Sequence, residues 1–192
     1  MKNKITLALL GFSTISCKSQ IISLEQAVTY KQQTGTVPQN TTYIKDMNHS
    51  LDKYIGTWKG YYNGYSFEFK FTKKENVNGY DVNWDFLIGR MQVTDFNGNI
   101  TYNTFNELDD TKTKLSGYNF QPDLKAYMMY FVGNSNVNCN EQGYIYLRIK
   151  PETPDKMSIL MLQDNDISIE GACPPNFKPT IPYKTSISLT RQ

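Results

Sequence analysis

The chain has 192 residues, enough for one domain with a sizeable core, and carries 20 Lys+Arg against 18 Asp+Glu with a single His. A balance this close to neutral provides no field to draw a phosphate backbone, which argues against nucleic acid as a partner. One His leaves little material for a Ser-His or Cys-His hydrolase, and the sequence contains no Gly-rich phosphate loop.

At the N-terminus Lys2 and Lys4 precede an apolar run, Ile5 to Ile15, interrupted by Thr6, Ser13 and Thr14. A run of about eleven residues is too short to span a bilayer and fits the apolar region of a secretory signal. It ends in Thr14-Ile15-Ser16-Cys17. A small residue followed by Cys resembles the lipobox of bacterial lipoproteins, of the loose kind found in Bacteroidota. The resemblance implies a signal peptide over residues 1–16, acylation of Cys17 and anchorage in a membrane. Two or more acyl chains hold such an anchor stably, whereas one binds only marginally. The third place before the Cys holds Thr14 where Leu is usual, so a plain cleavable signal with an incidental Cys is the other reading. Lys18, not Asp, follows the Cys, and Lys18-Ser19-Gln20 lacks an acidic cluster. By analogy with Gram-negative sorting, this implies the outer membrane, facing the periplasm. Loss of residues 1–16 removes two lysines and no acid, leaving 18 basic and 18 acidic residues.

Cys139 and Cys173 then remain as an even pair in an exported chain. A disulfide and a metal pair are both open. Neither Cys has a second Cys or a His nearby, which favours the disulfide. Its 34-residue loop corresponds to roughly 3.5–4 kcal/mol of chain entropy.

In chain order, Ser23-Leu24-Glu25-Gln26 has the spacing of a capping box and predicts a short helix over about 24–33. Gly35-Thr36-Val37-Pro38-Gln39-Asn40 breaks it. Residues 17–50 read as a lipidated tether, and Tyr43 to Tyr54 as a short helical turn closing one end of the domain that follows, 51–192. From Ile55 the period is two. Tyr65, Phe67, Phe69 and Phe71 share one face; Tyr80, Val82, Trp84 and Phe86 alternate with Asp81, Asn83 and Asp85. Such alternation marks strands with one buried and one wet face. Asn63-Gly64, Asn78-Gly79 and Asn97-Gly98 supply the positive φ angles of tight primed turns, predicting three hairpins. Further strands are expected over about 99–105, 112–119, 126–132, 143–150, 156–163 and 184–191. The predicted fold is all-β, an antiparallel meander of eight to ten strands. Sequential connections favour a closed barrel over a sandwich, because closure removes exposed edges.

Leu51-Asp52-Lys53-Tyr54-Ile55-Gly56-Thr57-Trp58 resembles the first motif of the lipocalins and their calycin relatives. In that family the Gly-x-Trp opens strand one, the Trp plugs the closed end, and a basic residue on the last strand packs over it. The resemblance implies a barrel-closing pair of Trp58 and Arg191, a cation–π contact of about 0.5–2 kcal/mol. The departures are Thr94-Asp95-Phe96, too early in the chain for the family's middle motif, and the lack of a helix after the last strand. Gly-Thr-Trp also begins strands in unrelated β proteins, where the Trp is simply core. The lipobox, the tether, Tyr43-Ile44-Lys45-Asp46 and the Gly-Thr-Trp strand together resemble a family of uncharacterised small bacterial lipoproteins grouped as a domain of unknown function. That resemblance spans most of the chain and implies no activity.

Little in the sequence points to chemistry. Asp164-Asn165-Asp166 starts like a calcium loop, but the sixth place is Ile169 where Gly is needed and the twelfth is Pro175 where Glu is needed. Glu107, Asp109 and Asp110 beside Lys112 and Lys114 read as a solvated turn, and His49 as a solvated loop residue. No metal, cofactor or catalytic residue is expected, and no enzyme. A hydrolase on dispersed carboxylates has nothing in its favour, although a barrel brings distant carboxylates together. The unusual feature is the aromatic load of 14 Tyr, 10 Phe and 2 Trp, which either fills the core or lines a pocket, with Tyr127, Tyr130, Tyr144 and Tyr146 as candidates. The expected function is an envelope lipoprotein binding a small apolar or amphipathic ligand in its barrel. The alternative is a non-catalytic protein–protein interaction module.

Overall fold

The alternating segments fold as strands that pair with their neighbours in sequence. The structure is a computed structural model and describes residues 19–79, 81–134, 139–166 and 173–192; the expected signal peptide and Cys17 lie outside the described residues. In chain order the elements are β1 (Gln20–Ser23), α1 (Leu24–Thr34), β2 (Thr41–Lys45), β3 (Gly56–Tyr62), β4 (Tyr65–Val77), β5 (Asn83–Thr94), β6 (Ile100–Asn103), β7 (Leu115–Phe120), β8 (Tyr127–Val132), β9 (Gln142–Ile149), β10 (Lys156–Gln163) and β11 (Ser186–Arg191). Single 3-10 turns lie at Asp52–Tyr54 and Asp110–Lys112.

Eight strands form a closed antiparallel barrel, β5-β4-β3-β11-β10-β9-β8-β7, which returns to β5 where Ile88 meets Ser116. β6 is an extra strand on β5. β1 and β2 pair in parallel and extend the sheet from the start of β5, through Tyr43–Asn83 and Ile44–Trp84. The all-β barrel expected from the meander is therefore present, with three strands added outside it.

Of the three Asn-Gly pairs, Asn63-Gly64 is the primed turn. Its φ angles are 48° and 80°, and it joins Tyr62 to Tyr65 directly. At the second pair the left-handed residue is Asn76, where the β4–β5 register shifts. At the third, Gly98 is left-handed and Asn97 is not, so the loop is wider. Asp95 holds it, accepting from the Asn97 and Asn99 amides at 2.9 and 2.8 Å.

The inward faces are filled by the chain's own side chains. Phe67, Phe69 and Phe71 point inward as the alternation predicts, and meet Met91, Met129, Phe131, Ile145, Leu147, Ile159 and Leu189 in one core. Fully burying a side chain of this kind contributes about 1.5–3 kcal/mol. On β5 the parity is the reverse of that expected. Asp85, Leu87, Met91 and Val93 are buried, while Trp84 and Phe86 lie on the outer face. Trp84 tolerates that face because α1 lays Lys31 over its ring, with Nζ 4.8 Å from the centroid. Burial lowers the Lys31 pKa.

The capping box forms as predicted, with Ser23 and Gln26 exchanging bonds at 2.9 and 3.1 Å, and the helix ends at left-handed Gly35. Residues 20–45, part of the stretch read as a tether, are packed on the barrel. Ile22, Leu24, Ala27, Val28 and Ile44 join its core. A buried polar knot fixes them there. Asp85, 1% exposed, accepts from the Tyr43 hydroxyl and from the Asp46 and Asn76 amides, each amide at 2.9 Å. Asp46 accepts in turn from the Ser50 and Leu51 amides and from Lys73. Burial works against the Lys73 ammonium, but bonds to Asp52 and Asp46 outweigh it and raise its pKa. The Tyr43 and Asp46 of the Tyr-Ile-Lys-Asp motif thus converge on one carboxylate. Asp85→Ala orphans three donors, so it is expected to cost about 3 kcal/mol and to speed hydrogen exchange over residues 20–45. Equilibrium denaturation and exchange read by mass spectrometry check both.

Candidate functional site

The two ends of the barrel differ. At one end Leu51, Tyr54 and Trp58 are each 0% exposed. Gly56 opens β3 with φ 119°, and a Cβ there would stand 3.3 Å from the Arg191 Nη1. The positive φ is what calls for Gly here; the guanidinium contact is merely tight. Two residues on, the Trp58 indole N–H donates to the Tyr54 carbonyl at 2.8 Å. β11 registers Arg191 opposite Trp58 and places its guanidinium 4.3 Å from the ring centroid. Two guanidinium nitrogens donate to the Lys53 and Ile55 carbonyls, both at 2.6 Å. This end is shut by the first and last barrel strands together.

The other end is covered only in part. Residues 173–185, which lead into β11, cross it, with Ile181 buried. Cys139 and Cys173 form a disulfide that ties this segment to the β8–β9 connection. Beside it Glu141, 6% exposed, accepts from the Thr180 amide. The Tyr183 hydroxyl donates to the Asn140 carbonyl at 3.0 Å. Between this cover and the β3–β4 and β5–β6 rims lies a cleft of about 470 Å³. Tyr62, Tyr65, Phe67 and Val93 form its apolar wall, and Asn63, Thr101, Lys178 and Thr180 its polar edge. Lys178 has no ion-pair partner among the described residues. Tyr102, registered opposite Val93, has a buried hydroxyl without a hydrogen-bond partner among the described residues. Burial and then the Glu141 charge push the Tyr102 and Tyr183 pKa values up to about 12.

The tyrosines proposed as pocket lining do not line this cleft. Tyr127 is core, and burial raises its pKa. Tyr130 and Tyr144 lie on the outer wall of the barrel, opposite each other and edge-on at 5.1 Å, with Tyr118 joining Tyr144 at 5.3 Å. Tyr146 alternates with buried Ile145 and Leu147 and shares that outer face. Asp164 is a polar turn residue, accepting from the Tyr130 hydroxyl at 3.0 Å. Asp110 does more than solvate a turn: it pairs with Lys74 at 2.6 Å and Arg90 at 2.8 Å, tying the loop before β7 to β4 and β5. These two cations hold its pKa below the usual carboxylate range. A second cleft, about 320 Å³, runs along that seam on the outside, between Lys74, Phe86, Ile88 and Leu115. His49 is exposed and touches Asp52. Among the described residues, no three His, Cys, Asp or Glu converge as a metal site.

Tyr54, Tyr102 and Tyr127 are buried, and burial raises all three pKa values. A raised pKa favours the protonated group in the folded state. The stability this carries is complete below the free tyrosine value of about 10 and is lost as pH rises toward the folded value. Alkaline unfolding is therefore expected between pH about 10 and about 12, the latter being the Tyr102 value. The exposed tyrosines, Tyr61 and Tyr118 among them, should ionise first with the near-UV dichroism intact, and the remaining tyrosinate absorbance should appear together with loss of that dichroism. Full ionisation of all tyrosines with the dichroism intact would contradict this.

Together these features define a β-barrel shut at one end by an aromatic–guanidinium pair and bearing an apolar, polar-edged cleft at the other. The chain belongs to a family of unknown function (DUF6705), whose model matches residues 1–169. Cys173, Lys178 and Arg191 lie beyond the matched range. No curated protein and no solved structure matches the chain.

Proposed function

We propose that this is a lipid-anchored, non-catalytic binding protein of a bacterial envelope, taking a small apolar or amphipathic ligand in the cleft at its barrel mouth. The observation that carries the reading is the cleft itself. About 470 Å³ lies within the range of small-molecule sites, and its aromatic wall with a few polar groups at the edge is the composition such sites have. The barrel interior below is filled, so the ligand sits at the mouth and not along the axis. Acylation at Cys17 and placement on the periplasmic side of the outer membrane are supported by the lipobox-like run and Lys18. The test is fluorescence titration with cis-parinaric acid, with native mass spectrometry of the purified protein for any resident ligand. Thr101→Trp fills the cleft from its solvent side without touching the core and is expected to weaken binding at least about tenfold. Binding unchanged by Thr101→Trp and by Tyr62→Ala would sink the reading.

A second reading, a protein-interaction module, draws on the hairpin tips beside the cleft, where Tyr61 and Phe96 are 72% and 77% exposed. Crosslinking from these positions to a partner, with no probe bound, would favour it.

A further inference from the structure

We propose that the membrane bearing the acyl chains lies against the closed end of the barrel, so that the cleft opens away from it; this rests on the anchored reading above. The first support is how soon the sheet begins. The Gln20 amide donates to the Asn40 carbonyl at 2.9 Å, and the Ser19 and Thr42 hydroxyls are 2.6 Å apart. Gln20 is already registered with Thr41. Only Lys18 separates Cys17 from Ser19, so the connection spans at most about 7 Å. A chain this short cannot act as a spacer. Acyl chains on Cys17 would hold the start of β1 within a headgroup's depth of the bilayer.

The second support is where β1 starts. β1 runs parallel to β2, and β2 runs parallel to β5 with Tyr43 opposite Asn83, the first residue of β5. Followed backward from Tyr43, Thr41 and Gln20 pass beyond the beginning of β5. The cleft belongs to the opposite end of the same strand, where Ser66 meets Thr94 and Val93 lines the wall. From Asn83 to Thr94 is roughly 36 Å of strand. With the N-terminus held at the bilayer, the cleft is carried well clear of it. Ile21, 51% exposed on β1, is the apolar side chain placed to meet the headgroup region. The ligand would then reach the cleft from the aqueous side and not by lateral withdrawal from the anchoring leaflet.

The experiment uses the acylated full-length mature protein on vesicles of phosphatidylethanolamine and phosphatidylglycerol. Spin labels are attached through Ile21→Cys in one variant and Phe96→Cys in another. Relaxation by oxygen, which enters lipid, is compared with relaxation by a water-soluble nickel chelate. The label at 21 is expected to gain oxygen and lose nickel access on vesicles, and the label at 96 to keep full nickel access. A flexible insert of about 20 Gly and Ser residues between Lys18 and Ser19, with a reach of roughly 25 Å, should abolish the difference between the two sites. Bilayer contact at 96, or equal access at both sites without the insert, overturns the inference and leaves the binding reading standing. An intact mass showing Cys17 without acyl chains overturns the anchored reading and this inference with it.

Discussion

Alanine in place of Trp58 is expected to cost about 3–5 kcal/mol, read as a lower denaturation midpoint. The ring is 0% exposed and lies under the Arg191 guanidinium, so its removal leaves a cavity at the closed end. It also orphans the Tyr54 carbonyl, which the indole N–H serves at 2.8 Å. Trp58→Phe keeps most of the volume and should cost less. Arg191→Lys is not a mild change, because one ammonium cannot serve the Lys53 and Ile55 carbonyls while lying flat on the ring. A double-mutant cycle on Trp58 and Arg191 is expected to give a coupling of about 0.5–2 kcal/mol. Zero coupling would mean that the two side chains are only neighbours, and that the guanidinium acts solely through the two carbonyls.

Removing the disulfide should be nearly as costly. For a 34-residue loop, the Cys139→Ala, Cys173→Ala double variant is expected to lose roughly 3.5–4 kcal/mol through the freer unfolded chain. The Cα atoms are 4.7 Å apart, so two alanines fit without a backbone shift. The loss should be local as well as global. The bridge, together with Glu141 and Tyr183, pins the segment that carries Lys178 and Thr180 over the cleft. Exchange in residues 173–185 should therefore rise more than in β3 or β4, and probe binding should weaken alongside. If stability falls while exchange over 173–185 stays unchanged, the bridge does not hold the cover in place.

The strands were legible because alternation and Asn-Gly turns are local signals. β10 falls on 156–163 as expected, and Asn63-Gly64 makes the turn its chemistry demands. The position of the basic residue near Trp58 was legible through the motif at Gly56, since first and last strands of a meander barrel are neighbours. Parity was harder. Tyr-Met-Met-Tyr-Phe-Val in β8 is apolar at every place, so nothing local says that Tyr127 points in and Tyr130 out. β5 misled for a related reason: Trp84 and Phe86 look like a core face, yet the buried face carries Asp85 because a distant segment brings donors to it. The cleft residues from Lys178 to Pro182 form no periodic pattern, and their role depends wholly on a crossing that a linear reading does not contain. The packing of residues 20–45 was hidden likewise, since parallel pairing with a strand some 40 residues on leaves no short-range mark.

The closure between β5 and β7 has a mechanical consequence. The two strands register at Ile88 and Ser116, and a neighbouring contact is made through a side chain, the Leu87 amide donating to the Tyr127 hydroxyl at 3.4 Å. A hoop whose staves meet so briefly does not derive its strength from the joint. It is kept round by what it is wrapped around, the phenylalanines, methionines and leucines of the filled interior. Once the Asp110 pairs with Lys74 and Arg90 across it are broken, the joint is the place where the wall can part without disturbing the ladders between the other strands. Strain imposed at either end of the barrel would be relieved along this line first.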